Sequence, residues 1–390
     1  MTDSKRPARA SSSSGDTDSA PPKPALFTPF SLREVTFDNR VVVTPMCQYR
    51  AEDGHAVDWH FAHYGRFSLS GVGGACVEAT AITRDGRITP GCLGIYLDSH
   101  VAGLARITSM FHDQGIAIGI QIGHSGRKGS AAVPLDGAAP LVDFDPSQAW
   151  EAIAPSAIAM TDGWPVPREM SEAEILGMLE AFQSASARAV SAGFDFLEIH
   201  GAHGYLVNSF FSPISNHRTD EWGGPDIRNR MRFPLKVAEK IREVIPDSMP
   251  LLYRTSSVDG FEGGVTLDDS ITLAGELKAR GVDLIDCSSG GIVGASGRAM
   301  DRPSPGYLVP YAGKIRRAAD IATMAVGLIV EPKQANKIIE SGQADLVAIG
   351  RQLLDDPNFV FHAASELGLA NPFSVLPEAY GFFLERRKIK

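Results

Sequence analysis

The chain has 390 residues, 44% of them hydrophobic and 21% charged, with a formal net charge of −9. That length suits one large α/β barrel, which runs from about 250 residues to more than about 400 with insertions. The composition excludes a disordered chain, no run reaches the roughly 18 apolar residues that span a bilayer, and the acidic balance argues against nucleic acid or an anionic membrane surface as main partner.

Residues 1–25 stand apart. Ser11 to Ser14 is a polyserine run, Pro21, Pro22 and Pro24 follow, and no bulky apolar residue lies between Met1 and Leu26. Such a segment buries too little surface to offset its ordering entropy, so a disordered tail is expected. It lacks the apolar stretch of a signal peptide, and Asp3, Asp16 and Asp18 count against a transit peptide. The four cysteines, Cys47, Cys76, Cys92 and Cys287, show no CxxC or zinc spacing. Free thiols in a reducing, cytoplasmic setting are the expectation.

Residues 26–390 read as one domain, a barrel with a C-terminal extension. Short apolar runs at Val41–Thr44, Ala75–Thr80, Ala117–Ile122, Phe196–His200, Leu251–Thr255, Leu284–Ser288, Ile321–Val326 and Leu346–Ile349 predict strands buried on both faces. Amphipathic stretches lie between them. Ser171 with Glu174 predicts a capping box opening a helix. Leu267–Arg280 and Glu331–Ser341 predict two more, closed by Gly281 and Gly342. Eight strand-then-helix repeats predict a closed (β/α)8 TIM barrel. An open doubly wound sheet is the rival, but no GxGxxG opens the first unit. The long connections Gly123–Met170 and Gly290–Leu308 both follow strands and predict active-site loops on the catalytic face.

Barrel chemistry collects at the C-terminal ends of strands. There the sequence offers Thr44-Pro45-Met46-Cys47-Gln48-Tyr49, Glu78-Ala79-Thr80, Gln121 with Gly123-His124, His200-Gly201-Ala202-His203-Gly204-Tyr205, Arg254, Ser288-Ser289-Gly290, Gly327, and Gly350-Arg351. All are expected to converge on one mouth. His200 and His203 could be metal ligands, with Glu78 the nearest third, or buried structural histidines. The sharper reading is two donors aimed at a carbonyl or nitro oxygen on which negative charge develops. Arg254 is either a structural ion-pair partner or, in a mouth short of carboxylates, the holder of an anionic ligand group. Gly327, Gly350 and Arg351 match the phosphate site common after strands 7 and 8, although glycine turns need no ligand. Cys47 could be a small buried hydrophobe or a chemical thiol.

Taken together and in order, these motifs resemble a known family. The segments Thr44 to Tyr49, Val77-Glu78-Ala79, Gln121 with His124-Ser125-Gly126-Arg127-Lys128, His200 to Tyr205, Ser215 to Gly224, Asp286 to Gly290 and Ile349-Gly350-Arg351 resemble the old yellow enzyme family of FMN-dependent ene-reductases, closest to its bacterial thermophilic-like class, from Leu26 to Asn371. The resemblance implies an FMN-binding barrel reduced by NADPH, or less readily NADH, with no metal. It implies that Thr44, Pro45, Met46, Cys47, Ala79 and Gln121 line the flavin ring, with Cys47 near its reactive edge tuning the potential. Arg254 would sit beside N1 and O2 and favour the anionic reduced ring, and Gly327, Gly350 and Arg351 would hold the phosphate. His200 and His203, assisted by Tyr49, would bind the substrate's activating oxygen, and Tyr205 would protonate the carbon α to it.

The implied substrates are small activated alkenes: maleimides, cyclic enones, nitroalkenes. A homodimer or homotetramer is implied as well. In some relatives a C-terminal arginine from a neighbouring subunit enters the active site. Here the chain ends Tyr380-Gly381-Phe382-Phe383-Leu384-Glu385-Arg386-Arg387 before its last three residues, so an aromatic contribution stands beside an arginine one. Two rivals from other classes are a non-redox phosphate-binding barrel, an aldolase or isomerase with a catalytic lysine or carboxylate, and a non-catalytic flavin-binding protein.

Overall fold

The computed structural model describes residues 23–294 and 304–387. The tail expected over residues 1–25 lies, up to residue 22, outside the described residues, as does part of the Gly290–Leu308 loop. The barrel strands are β1 (Val41–Val43), β2 (Gly74–Ala81), β3 (Ala117–Gly123), β4 (Phe196–Gly201), β5 (Leu251–Ser256), β6 (Leu284–Ser288), β7 (Ala322–Ala325) and β8 (Leu346–Ile349). Neighbours pair in parallel, and Val347 of β8 pairs with Val41 of β1 to close the barrel. The doubly wound rival is thereby set aside. Each strand falls within two residues of its expected bounds.

Helices α1 (Asp58–Ser68), α2 (Val101–His112), α3 (Glu172–Ser191), α4 (Ile227–Arg242), α5 (Leu267–Lys278), α6 (Val309–Ala318), α7 (Pro332–Glu340) and α8 (Phe359–Glu366) ring the outside. Ser171 and Glu174 form the expected reciprocal cap of α3, which satisfies two N–H groups that the first turn leaves open. Gly281 and Gly342 both adopt positive φ just past α5 and α7.

Strand alternation sorts the apolar residues into two cores. Outward-facing side chains such as Val43, Ile118, Ile199 and Leu251 pack under the helices. Inward-facing Val42, Cys76, Phe196, Leu252, Leu284, Met324 and Leu346 fill the barrel floor. A two-stranded hairpin, Phe30–Leu32 with Val35–Phe37, plugs that floor, its Phe37 ring 5.7 Å from Phe196.

Two local departures bear on the site. Between Val77 and Thr80 the register of β2 against β3 slips by one residue, a bulge that re-aims side chains. The connection Gly123–Met170 carries structure of its own: a short helix at Leu141–Phe144 and a parallel pair, Ile153–Ala154 with Arg168–Glu169. Beyond α8 the chain adds a helix at Glu378–Glu385, with Tyr380, Phe382 and Phe383 exposed.

The turn into β2 leaves no room for a side chain at Gly73, where a Cβ would stand 2.0 Å from the Asn39 carbonyl oxygen. The oxygen belongs to the backbone and the Cβ position is fixed by it, so neither can rotate away. Gly73→Ala is expected to lower unfolding free energy by about 1–3 kcal/mol, the usual cost of overpacking, read as a lower denaturant midpoint at unchanged slope.

Candidate active site

A cavity of about 560 Å³ opens at the C-terminal ends of the strands, within the usual size of small-molecule sites. Thr44, Pro45, Met46, Tyr49, His203, Arg254, Gly327, Gly350 and Arg351 line it, and Ser288, Ser289 and Tyr307 join them. A tighter recess alongside is walled by Ala79, Thr80, Gly123, His124, His200 and Tyr205. Cys47 links the two walls, since its thiol meets the Ala79 backbone and the Tyr49 phenol. Gln121 lies buried one layer down, its amide donating to Glu198 Oε1 at 2.7 Å.

The aromatic polar groups cluster at the end of β4. The His200 ring stands edge-on to Tyr205 at 4.7 Å and to His203 at 5.2 Å. His203 Nε2 lies 2.7 Å from the Ser288 hydroxyl. Burial, and then the Arg254 charge, push both imidazoles well below their ordinary pKa, so both are neutral at physiological pH.

Two of these residues have unusual backbones. Tyr49 has φ +56° and His203 φ +61°, a left-handed conformation that costs side-chain-bearing residues free energy unless surroundings impose it. For His203 the surroundings are visible: its N–H donates to Ser256 Oγ at 2.9 Å, and Lys128 Nζ donates to its carbonyl at 2.8 Å. Lys128 also donates to Gly291 O at 2.8 Å, and burial brings its pKa down to about 7.

Cys47 is held as a neutral thiol. Burial pushes it well above its ordinary value, and the carboxyl of Glu78 adds to the effect.

Two expectations need correction. Glu78 is not in the mouth, because the β2 bulge sends it outward under the Pro45–Tyr49 segment. There its carboxyl accepts from Gln48 N at 2.8 Å and Tyr64 Oη at 3.3 Å, with His60 Nε2 at 3.7 Å. Burial raises it to about 8. It therefore cannot complete a metal site with His200 and His203, and among the described residues no group of three or more His, Cys, Asp or Glu is placed to hold a metal. Nor is Arg254 short of carboxylates: its Nε lies 3.3 Å from Asp286 Oδ2, while Nη1 donates to Thr44 Oγ1 at 3.2 Å.

Sequence reasoning assigned no role to Asp286, Glu198, Ser256, Ser288 or Lys128. The signal was present in part, since Glu198 precedes His200 by two and Asp286 precedes Ser288 by two, the period of one strand face.

A family model described as NADH:flavin oxidoreductase / NADH oxidase matches residues 25–370. An NADPH dehydrogenase from Geobacillus sp. (strain WCH70) is 45% identical over 352 residues, 90% of this chain and 96% of that one. An NADPH dehydrogenase from Bacillus subtilis (strain 168) is 42% identical over 352 residues, 90% and 97% of the two chains. The solved structure of morphinone reductase in complex with tetrahydroNAD superposes with a TM-score of 0.71 at 27% identity, over 88% of this chain and 91% of that one. FMN is the cofactor these matches imply, and the cavity fits it. Arg254, buried at the cavity wall, keeps its guanidinium beside Thr44 Oγ1 on the cavity side while its Nε faces Asp286 below. Gly350 lines the cavity as well, packed so closely that a Cβ there would stand 2.8 Å from Thr44 Cγ2. The exposed guanidinium of Arg351 follows directly, a donor suited to phosphate.

The network behind the site makes stability depend on pH. His60 is fully buried, with Nδ1 accepting from Val57 N and its pKa driven down to about 4 by burial. The unfolded chain takes up that proton near pH 6.5 and the folded chain does not. The stability from neutral His60 is thus fully present above about pH 6.5 and lost as pH falls toward 4. His60→Gln should lose about 2 kcal/mol less than the parent between pH 6.5 and 4.5, measured by urea unfolding at each pH.

Proposed function

We propose, from the premise that the chain belongs to the NADH:flavin oxidoreductase / NADH oxidase family (the old yellow enzyme family) and is an FMN-dependent oxidoreductase using NADPH, that it reduces the C=C bond of alkenes activated by a carbonyl or nitro group. The observation that carries this reading is the convergence of two neutral imidazoles and a phenol, His200, His203 and Tyr205, on one side of the cavity. FMN bound there would supply hydride transfer from NADPH to the substrate's β-carbon.

The chain's own residues do the rest. Thr44, Pro45, Met46, Cys47 and Ala79 would form the walls against which the ring lies, with Gln121 supporting it from the layer beneath. Arg254 would present positive charge to the ring, and Gly327, Gly350 and Arg351 would receive the phosphate. His200 and His203 donate hydrogen bonds to the activating oxygen of the substrate, with Tyr49 closing that side. Neutral imidazoles suit this work, because a donor on an uncharged ring binds the oxygen without surrendering its proton in the ground state. As negative charge builds on that oxygen, donors already in place gain strength without rearranging. Tyr205, beside His200, then protonates the α-carbon. A phenol is a weak enough acid to stay protonated at neutral pH and strong enough to quench a carbanion.

Cys47, a neutral thiol, tunes the ring it faces and forms no bond to substrate. The matches to NADPH dehydrogenases favour this chemistry over an aldolase or isomerase, even though Lys128 sits near the mouth. Both hydrogen bonds from its ammonium quoted above go to loop carbonyls. In a homodimer or homotetramer, an exposed aromatic of this C-terminal helix (Tyr380, Phe382 or Phe383), or an arginine that follows it, would be expected to reach the active site of a neighbouring copy.

Tyr205→Phe should slow alkene reduction by the pre-reduced enzyme, while the bleaching of flavin absorbance by NADPH keeps its parental rate. The deficit should shrink with nitroalkenes, whose anions take a proton from water. Stopped-flow traces slowed equally in both halves, or in neither, would remove Tyr205 from the reaction. His200→Ala or His203→Ala should each weaken phenol binding and cut the alkene-reduction rate by about 10²–10³-fold, as expected for losing one donor to developing charge.

A further inference from the structure

At the floor of the cavity and just beneath it, three charged side chains share the interior of the closed barrel. Arg254 projects from β5, Asp286 from β6 and Glu198 from β4, and all three are buried. The strand register fixes the arrangement: Arg254 stands opposite His200 on one side and Asp286 on the other. Glu198 lies two residues before His200 on the same inward face. Arg254 Nε is 3.3 Å from Asp286 Oδ2, and Glu198 Oε1 accepts from Gln121 Nε2 at 2.7 Å. Glu198 Oε2 and both oxygens of Asp286 have no hydrogen-bond partner among the described residues.

Charge balance then constrains the group. One guanidinium can neutralise one carboxylate, and a second unpaired carboxylate inside the barrel would be severely penalised by lost hydration. Among the described residues, the other groups facing this space offer no further neutralising charge. Cys76 on β2 is a buried thiol kept protonated by burial and by these two carboxyls. Gln121 on β3 is an amide, Thr44 after β1 a hydroxyl, and His200 and His203 are neutral. The Lys128 ammonium, beyond the histidines, donates to loop carbonyls.

We propose that Glu198 and Asp286 share a single proton, so that the pair carries one negative charge beneath Arg254, and that this pair sets how strongly Arg254 favours negative charge on the FMN ring. The inference rests on the placement of Arg254 beside the ring proposed above. Glu198 and Asp286 are positioning residues that act through Arg254 and Gln121. Burial pushes both carboxyls above the ordinary carboxylate range, and the charge of Asp286 raises Glu198 further while Arg254 pulls both down. A bound FMN ring that took up hydride, two electrons with one proton, would carry one more negative charge. The part of the Arg254 charge not already matched by the carboxyl pair is what stabilises it.

A shared proton predicts a non-additive pattern. In Asp286→Asn, Glu198 releases the proton and restores the missing negative charge. In Glu198→Gln, Asp286 simply remains ionised. Each single variant of the FMN-loaded protein should therefore shift its redox equilibrium with a two-electron reference dye by less than about threefold. The double variant, with no carboxylate left, should shift it at least tenfold toward the reduced ring, about 30 mV more positive. Additive shifts, or a double variant with an unchanged or lower potential, would overturn the proposal. Infrared spectra supply a second test that does not need the double variant to fold. The parent should show one carboxylic-acid carbonyl band that is missing from both single variants, whereas the buried acid at Glu78 contributes equally to all three. Retention of the band in either variant overturns the shared proton. A parent protein that bound no FMN would sink the cofactor placement and this inference with it, while a bound FMN indifferent to the double substitution sinks this inference alone.

Discussion

A closed parallel barrel turns every second strand residue into a space that water does not enter, so any charge placed there must be balanced from within. The lower interior obeys the simplest solution and is apolar, with Phe196, Leu252, Leu284 and Met324 packed over the hairpin plug. The next layer carries Gln121, Glu198, Arg254 and Asp286. The catalytic groups proposed above stand on this polar layer, and their neutrality follows partly from it, because the Arg254 charge disfavours a second cation on His200 or His203.

The site's precision comes from where its parts are mounted. Arg254, His200, Gln121 and Ser288 sit on barrel strands, whose register fixes them relative to one another. The residues just past the strands are held by other means. Tyr49 and His203 keep left-handed backbones, and basic side chains hold nearby loop carbonyls: Lys128 reaches His203 and Gly291, and Arg127 Nη2 reaches the Ile292 carbonyl at 2.5 Å. Burial lowers both basic groups from their ordinary pKa. Such cations are retained at a cost in hydration because they position backbone that a strand cannot reach.

Much of this was legible in the sequence. Runs such as Val41–Val43 and Leu346–Ile349 are too short and too uniformly apolar for anything but strands buried on both faces, and eight of them alternating with amphipathic stretches left few architectures. Reading function at strand ends then found the cavity residues, because parallel topology puts every strand's C-terminus at one face. What escaped was side-chain direction. The single extra residue in β2 reverses which side Glu78 faces, and nothing in Val77-Glu78-Ala79-Thr80 announces a bulge. Asp286 escaped for a related reason: it lies inside a strand rather than at its end, and the pairing that sets it beside Arg254 joins residues 32 positions apart, through a register seen only once the barrel is closed.

The hairpin plug and the closure of β1 against β8 also order events in time. The first packed segment depends on contacts from far along the chain: Phe37 on Phe196, Arg33 on Asp283 at 2.8 Å, Leu26 N on Asn336 Oδ1 at 3.0 Å, and Val41 on Val347. During synthesis the chain emerges from its N-terminus, so β1 leaves the ribosome early yet finds its closing neighbour only after Leu346–Ile349 has followed. Until then the nascent barrel has two raw edges and an apolar floor not yet closed around the hairpin, features that invite pairing with other chains. Completion of this fold thus waits on the last strand made, and the interval between the first strand and the eighth is when the chain is most open to such pairing.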